Sequence, residues 1–449
     1  MPGPSVVVLG GGLSGMATAY SLARAGWREI TIIEGGDELG GLAGTIVRDG
    51  YLYPLTYHHI LLQDQTLLYF LDRVGALPAV RWRKITLLFE LHGKFYDFAN
   101  PIDLLRFPMS LLDKARFVHL MLRSFAKRDW SDWQDRSGAD LVNAWAGPGV
   151  REAIFEKLTQ LKFKLPCAQV SGSWLGSRLR FREGSSPLGY IPDSNWTNHL
   201  CSGLTRLLEQ SGVRLRLRTF ARKLHAADGR IGAIELADGE LVRGDIFVST
   251  LPTETYLEMI EDAETPELET IRYTAVLAAM CATKRTIHPD FYWMSLASLD
   301  CNACGIFVLN SLNPTIGGPG ESCVNFVTHV PSRNDRRFRQ SDEEILAGYL
   351  ADFRKLFGHD LEPAWSRIVR LPRYSPVFHR DYRNPPVKSS TWHNTYFAGN
   401  YRSFPSIAST GTALRSGLEA AQAILQDHGE RSDLLDEVAN FKLRSMPRE

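Results

Sequence analysis

Apolar and polar residues along the chain fall into a few recurring patterns. Val6–Leu9 and Ile30–Ile33 are wholly apolar runs with the length and β-branched content of buried parallel strands. Between them Leu13, Met16, Ala17, Tyr20 and Leu22 follow a helical spacing that ends at Gly26, so the chain opens strand, helix, strand. Residues 213–217 alternate with period two, Asp228-Gly229 and Asp238-Gly239 mark hairpin turns, and residues 245–252 form a further strand. Apolar stretches at 274–283, 305–309 and 322–329 predict more strands, and 93–98 reads as a strand or hairpin edge. Helical patterns run over 110–127, 196–210 and 342–356, with Asn195 or Ser194 as cap for the second. Residues 431–449 are polar and predict a frayed tail.

The turn between the first strand and helix carries chemistry. Gly10, Gly12 and Gly15 fit G-x-G-x-x-G within Gly10-Gly11-Gly12-Leu13-Ser14-Gly15. Gly10 permits a sharp turn, Gly12 lets a pyrophosphate approach the backbone, and Gly15 lets helix and strand pack closely. The helix N-terminus, at Leu13 and Ser14, offers unpaired N–H groups to phosphate. Glu34 ends the second strand 19 residues beyond Gly15, where a carboxylate accepts hydrogen bonds from ribose hydroxyls. Strand, turn, helix, strand and acid in register predict a dinucleotide site.

A second glycine pair, Gly40-Gly41, follows Glu34 after five residues and is followed by Leu42. This arrangement resembles the FAD-dependent superfamily of flavin amine oxidases, protoporphyrinogen oxidases, phytoene desaturases and UDP-galactopyranose mutases. Amine oxidases carry Arg directly after the pair; Leu42 shifts the resemblance toward the other branches. The resemblance implies an α/β fold: a Rossmann-type FAD-binding domain interleaved with an α+β substrate-binding domain. Residues 1–50, 196–260 and 390–430 would form the FAD domain, and 51–195 and 261–389 the substrate domain.

Further segments carry the resemblance. Thr219-Phe220-Ala221 matches a step whose backbone touches adenine in relatives, which implies Ala221 as a contact. Thr395-Tyr396-Phe397-Ala398-Gly399-Asn400 and the run from Pro405 to Gly417 resemble the last FAD signature, with Asn400 in place of the usual acid. By the same resemblance Gly399 would meet the pyrophosphate side, and the helix beginning near Gly411, Thr412 and Ala413 would aim its N–H groups at the flavin N1–C2=O edge. Tyr57-His58-His59-Ile60 is similar to a segment near the flavin face in the mutases and porphyrinogen oxidases, which implies a flavin-proximal His59. Tyr57, Phe378, Tyr401 and Arg402 complete the expected pocket, with His59, Tyr57 and Arg402 as the catalytic candidates.

Composition limits the alternatives. The chain has 449 residues, 44% hydrophobic and 22% charged, which suits two globular domains. A net charge of +1 gives no basis for nucleic-acid binding. Six cysteines supply no disulfide framework, and Cys301-Asn302-Ala303-Cys304 lacks the two further ligands zinc needs. With no leader pattern at its start and no apolar run near ~20 residues, the expected compartment is the cytoplasm. Residues 101–128 mix apolar and basic residues; they read as a packed pair of helices that also suits peripheral membrane contact. The basic cluster at 333–339 reads as a solvated loop, with an anionic-substrate site as the sharper alternative.

The expected activity is FAD-dependent oxidoreduction: hydride transfer from a C–H, or a C–H next to N, of an apolar or ring-bearing small molecule to flavin N5, with oxygen or a quinone as electron acceptor. The alternative is a reduced-flavin mutase acting on a nucleotide sugar.

Overall fold

The computed structural model describes residues 3–180, 186–260, 265–287, 290–298 and 300–442. Residues 184–192, which glycines and prolines in the sequence mark as a loop, lie partly outside these residues.

Five strands form a parallel sheet in the order Arg214–Arg216, Ile30–Ile33, Val6–Leu9, Ile246–Ser249, Thr395–Phe397. Val6–Leu9 lies at its centre with all four residues buried, as a strand covered on both faces requires. Register brings Leu9 beside Ile33 and Ser249, and Ser249 beside Phe397. The carboxyl ends of these strands therefore release Gly10, Glu34, Thr250 and Gly399 along one edge, where open α/β sheets bind ligands. All five strands come from the three stretches expected to bind FAD.

The first helix, Leu13–Arg24, packs against the last long one, Thr410–Asp427. Their approach depends on Gly417, where a Cβ would lie 2.2 Å from the Ser14 carbonyl oxygen. Ser14 Oγ donates to the Ala413 carbonyl at 2.8 Å, and Thr18 Oγ1 to that of Gly417 at 3.1 Å. Asn195 caps the helix Trp196–Gln210 by accepting from the Thr197 amide.

A seven-stranded sheet occupies the other half, in the order Trp365–Pro376, Tyr273–Thr283, Ser322–Val330, Gly305–Val308, Trp293–Leu296, Leu87–Leu91, Lys94–Tyr96. Tyr273–Thr283 is buried throughout and joins both long neighbours antiparallel. Helices Pro101–Arg106, Leu111–Ala126, Gly138–Trp145, Glu156–Phe163 and Gly172–Arg180 pack beside this sheet.

The expected frayed tail is corrected up to residue 442. Leu434–Asn440 is a helix that buries Leu434 and Val438, one turn apart. Its Glu437 pairs with Arg24 at 2.7 Å and also with Arg73, so the segment is docked by both packing and charge. No helix among the described residues is long and apolar enough to cross a membrane.

Candidate functional site

A cavity of about 1150 Å³ runs from the carboxyl edge of the parallel sheet to the helices beside the second sheet. Its first part is built by the glycine-rich turns. Gly10, Gly12, Leu13, Ser14, Glu34 and the segment Gly40, Gly41, Leu42 all lie on its wall. Gly10 has φ +97°, and a Cβ there would meet Thr250 Oγ1 at 2.7 Å. Gly15 lies behind the wall; its Cβ would fall 2.1 Å from the Gly10 carbonyl oxygen, so helix and strand could not approach as they do with any side chain there.

Gly12 differs from its neighbours. Its backbone is ordinary (φ −68°, ψ 174°), and an added Cβ would meet nothing within 4 Å. Nothing in the protein's own packing requires glycine there, and the residue leaves its side of the open space unfilled. The helix behind it has no side-chain cap, so its first-turn N–H groups remain available. Glu34 is fixed at the edge by accepting from the Gly11 and Gly36 amides, each at 2.7 Å, with lone pairs left for hydroxyl donors. An uncapped helix, a glycine facing open space and a clamped carboxylate fit the pyrophosphate and ribose of a dinucleotide.

The middle of the cavity is where an attached ring would lie. Gly399, Asn400 and Ala413 line it, together with Tyr57, His58, His59 and Tyr401. Asn400 donates to the Tyr374 carbonyl at 3.1 Å, and the Gly399 amide donates to Ser416 Oγ at 2.8 Å. Tyr57 stacks on Phe307 with ring centroids 3.6 Å apart, and His59 Nδ1 lies 3.1 Å from the Tyr292 hydroxyl. His58 contacts the Leu42 carbonyl through Nε2 at 3.1 Å, and burial lowers its pKa to about 4, so it is neutral at pH 7.

Four expectations change. Arg402 is not on the cavity wall: the short turn Asn400–Arg402 directs its guanidinium to the Pro385 carbonyl and to Glu419 at 3.2 Å. Its guanidinium is engaged with those two partners rather than with the cavity. Ala221 begins the strand Ala221–Ala227 away from the wall, while Phe220 lies against Gly35 beside Glu34. Phe378 is buried against Trp174 and Tyr382, off the wall. The amides of Gly411 and Thr412 do not open on the cavity either. Thr412 N–H donates to Ser409 Oγ in a capping box, and Gly411 faces the Asp64 carboxylate. Ser409, Thr410, Ala413 and Asp64 are the groups that reach the wall there.

The far part of the cavity is apolar, with Leu88, Phe98, Phe117, Met121, Leu158 and Leu175 among its lining. Its polar members are mostly neutral or compensated. Arg373 pairs with Glu254 at 3.0 Å and Glu258 at 2.7 Å. Burial, with Lys162 and Lys164 nearby, holds His329 well below the usual imidazole range. Cys304 Sγ lies 3.0 Å from Lys164 Nζ, and Cys301 and Cys304 are both free thiols. No metal-binding cluster occurs among the described residues. Lys284 donates to the Pro319 carbonyl, away from the wall, and in the basic cluster Arg333 and Arg337 pair with Glu258 and Asp335.

Thr250, Asp64 and Tyr374 on the wall, and Tyr292 behind His59, were not among the expected site residues. Thr250 had one usable signal: it follows a strand that ends, like Leu9, at the sheet's carboxyl edge.

Known proteins share this architecture. A model of flavin containing amine oxidoreductases matches residues 13–425. The 15-cis-phytoene desaturase of Solanum lycopersicum is 23% identical over 472 residues, covering 94% of this chain and 78% of its own. Among solved structures, a protoporphyrinogen oxidase-like protein from Exiguobacterium sp. 255-15 superposes with a TM-score of 0.77 at 18% identity, covering 95% of this chain and all of that one. A reduced UDP-galactopyranose mutase superposes with a TM-score of 0.72 at 15% identity, covering 98% of each chain. The chain thus belongs to the flavin containing amine oxidoreductase family, and it is an FAD-dependent oxidoreductase.

Proposed function

We propose that the protein oxidises a long apolar, isoprenoid-like substrate taken from a lipid surface. One observation carries the proposal: the apolar arm of the cavity ends at a helix whose outer face is also apolar. Val118 and Leu122 belong both to the cavity wall and to the exposed surface of Leu111–Ala126. Leu111, Leu122 and Phe125 are 75%, 66% and 66% exposed, and Ile102 and Leu105 extend the patch. Basic residues on and beside the helix are engaged, Lys114 with the Leu105 carbonyl, Arg116 with Asp113, Arg123 over Trp145 and Lys127 with Asp132. An apolar patch continuous with an apolar tunnel suits a substrate that never enters water.

FAD, when bound, supplies a two-electron acceptor for a hydride leaving a substrate carbon. The chain's own groups hold and shield. Glu34 and the first helix anchor the nucleotide end, and Tyr57 stacked on Phe307 gives the ring region a rigid aromatic boundary. His59, oriented by Tyr292, is the polar group best placed to hold or accept a proton beside the reacting carbon. The apolar arm excludes water and aligns an extended chain. The similarity to a phytoene desaturase supports this substrate class. The nucleotide-sugar alternative rests on the Tyr57–Asp64 stretch, which lines the cavity, and on Arg402, which is bound to Pro385 and Glu419.

The test is anaerobic bleaching of the oxidised flavin band by isoprenoid hydrocarbons in liposomes. Bleaching that grows with chain length supports the proposal. Bleaching by soluble amines alone, or UDP-sugar turnover by the reduced protein, overturns it.

A further inference from the structure

The N-terminus of Thr410–Asp427 holds a carboxylate of this chain against the cofactor cavity. Asp64 caps its own helix, Gln65–Arg73, by accepting from the Leu67 amide at 3.1 Å. It also takes bonds from the Gly411 amide and the Ser409 hydroxyl of the last helix. The approach is so close that a Cβ on Gly411 would lie 1.8 Å from its Oδ1, which accounts for glycine at a position with ordinary helical backbone. Capping one helix needs only an aspartate at its start. It does not need that carboxyl to fill the positive pole of a second helix, nor to stand on the wall of the cavity beside Ser409, Thr410 and Ala413.

We infer that Asp64 is an electrostatic control residue for the flavin: its carboxylate offsets the positive helix pole and opposes the negative charge the ring gains on reduction. An unoccupied helix terminus facing a flavin would favour the reduced form; here an internal anion answers that field. Burial already pushes the Asp64 pKa up to about 6, against the three hydrogen bonds that favour ionisation. Other charged groups on the packed elements face elsewhere. Arg73 and Arg24 pair with Glu437, Arg415 and Arg402 with Glu419, and His59 is engaged with Tyr292. Negative charge arriving on the ring would raise the Asp64 pKa further, so reduction would draw a proton onto this carboxyl near neutral pH.

The experiment is a spectroelectrochemical titration of the FAD-loaded protein across about pH 5 to pH 9, for wild type, Asp64→Asn and Ser409→Ala. No substrate is added, so the outcome is independent of the substrate reading, and the flavin absorbance reports cofactor loss separately. The flavin's own proton titrates in this range, so the difference between proteins is the readout. Above pH 7 Asp64→Asn should favour the reduced form about tenfold more than wild type, a rise of about 30 mV for two electrons. The gap should close near pH 5, where Asp64 is protonated in both redox states. Ser409→Ala, which keeps the carboxyl but removes a donor, should move the wild-type bend to higher pH. Superimposable potentials for Asp64→Asn and wild type, or a constant offset at every pH, would overturn the inference and leave Asp64 a helix cap alone.

Discussion

Replacing Gly12 with alanine isolates the cofactor from the fold. The added methyl meets no protein atom within 4 Å, and the backbone at φ −68°, ψ 174° accepts alanine without strain. Losing glycine's flexibility in the unfolded chain stabilises by about 0.4–1 kcal/mol. The apo protein's melting temperature should therefore hold or rise by no more than about 2 °C. The bound pyrophosphate would occupy the space the methyl enters, and overpacking of one methyl costs about 1–3 kcal/mol. FAD affinity should fall roughly 5- to 150-fold. Gly15→Ala is the internal contrast. Its Cβ would fall 2.1 Å from the Gly10 carbonyl oxygen, which is backbone and cannot move aside cheaply, so the apo protein itself should lose stability. The assay is fluorescence titration of FAD-stripped protein, with calorimetry alongside. Wild-type FAD affinity in Gly12→Ala would refute the placement of the pyrophosphate; equal melting losses in both variants would refute the claim that Gly12 serves only the ligand.

Other perturbations separate roles that adjacency in sequence blurs. Arg402→Ala should cost about 2 kcal/mol by leaving Glu419 and the Pro385 carbonyl without their donor, with the flavin spectrum unchanged; thermal melting and absorbance check this. His59→Phe should slow flavin reduction by substrate while FAD affinity stays within about twofold, read by anaerobic stopped flow. Replacing Leu111, Leu112, Leu122 and Phe125 with serine should abolish liposome co-sedimentation, since each buried apolar side chain contributes about 1.5–3 kcal/mol; melting should be unaffected. His58 sets an acid limit. Its folded pKa, about 4, lies below the ordinary 6.5, so the unfolded chain binds the extra proton first. The neutral form's contribution is intact above pH 6.5 and is lost as pH falls toward 4, by roughly 3 kcal/mol, which pH-dependent denaturation of wild type and His58→Gln would measure.

The nucleotide half was legible in the sequence because its physics is local. A buried parallel strand must be continuously apolar, and Val6–Leu9, Ile30–Ile33 and the strand at 246–249 are. Glycines forced by close backbone approach mark the turns. The ring half was legible only in part, since its residues meet from distant segments. Arg402 follows Asn400 by two residues, yet a single short turn sends one to the wall and the other into Glu419. The sequence gives no sign that Asp64 does more than precede a helical run, because its second partner, Gly411, lies 347 residues away. The helix Leu434–Asn440 was hidden by its polar composition; it is held by buried Leu434 and Val438 and by one carboxylate, Glu437, meeting two arginines from other helices. Phe378 illustrates the reverse error: an aromatic near a motif is more often core than pocket.

The most direct test of the account is anaerobic mixing of oxidised, FAD-loaded protein with liposomes carrying isoprenoid hydrocarbons, followed by flavin absorbance. The account predicts bleaching of the oxidised band that requires both the liposomes and the exposed leucines of Leu111–Ala126. A flavin that stays oxidised with every apolar substrate, while the chemically reduced protein interconverts UDP-sugars, would contradict it.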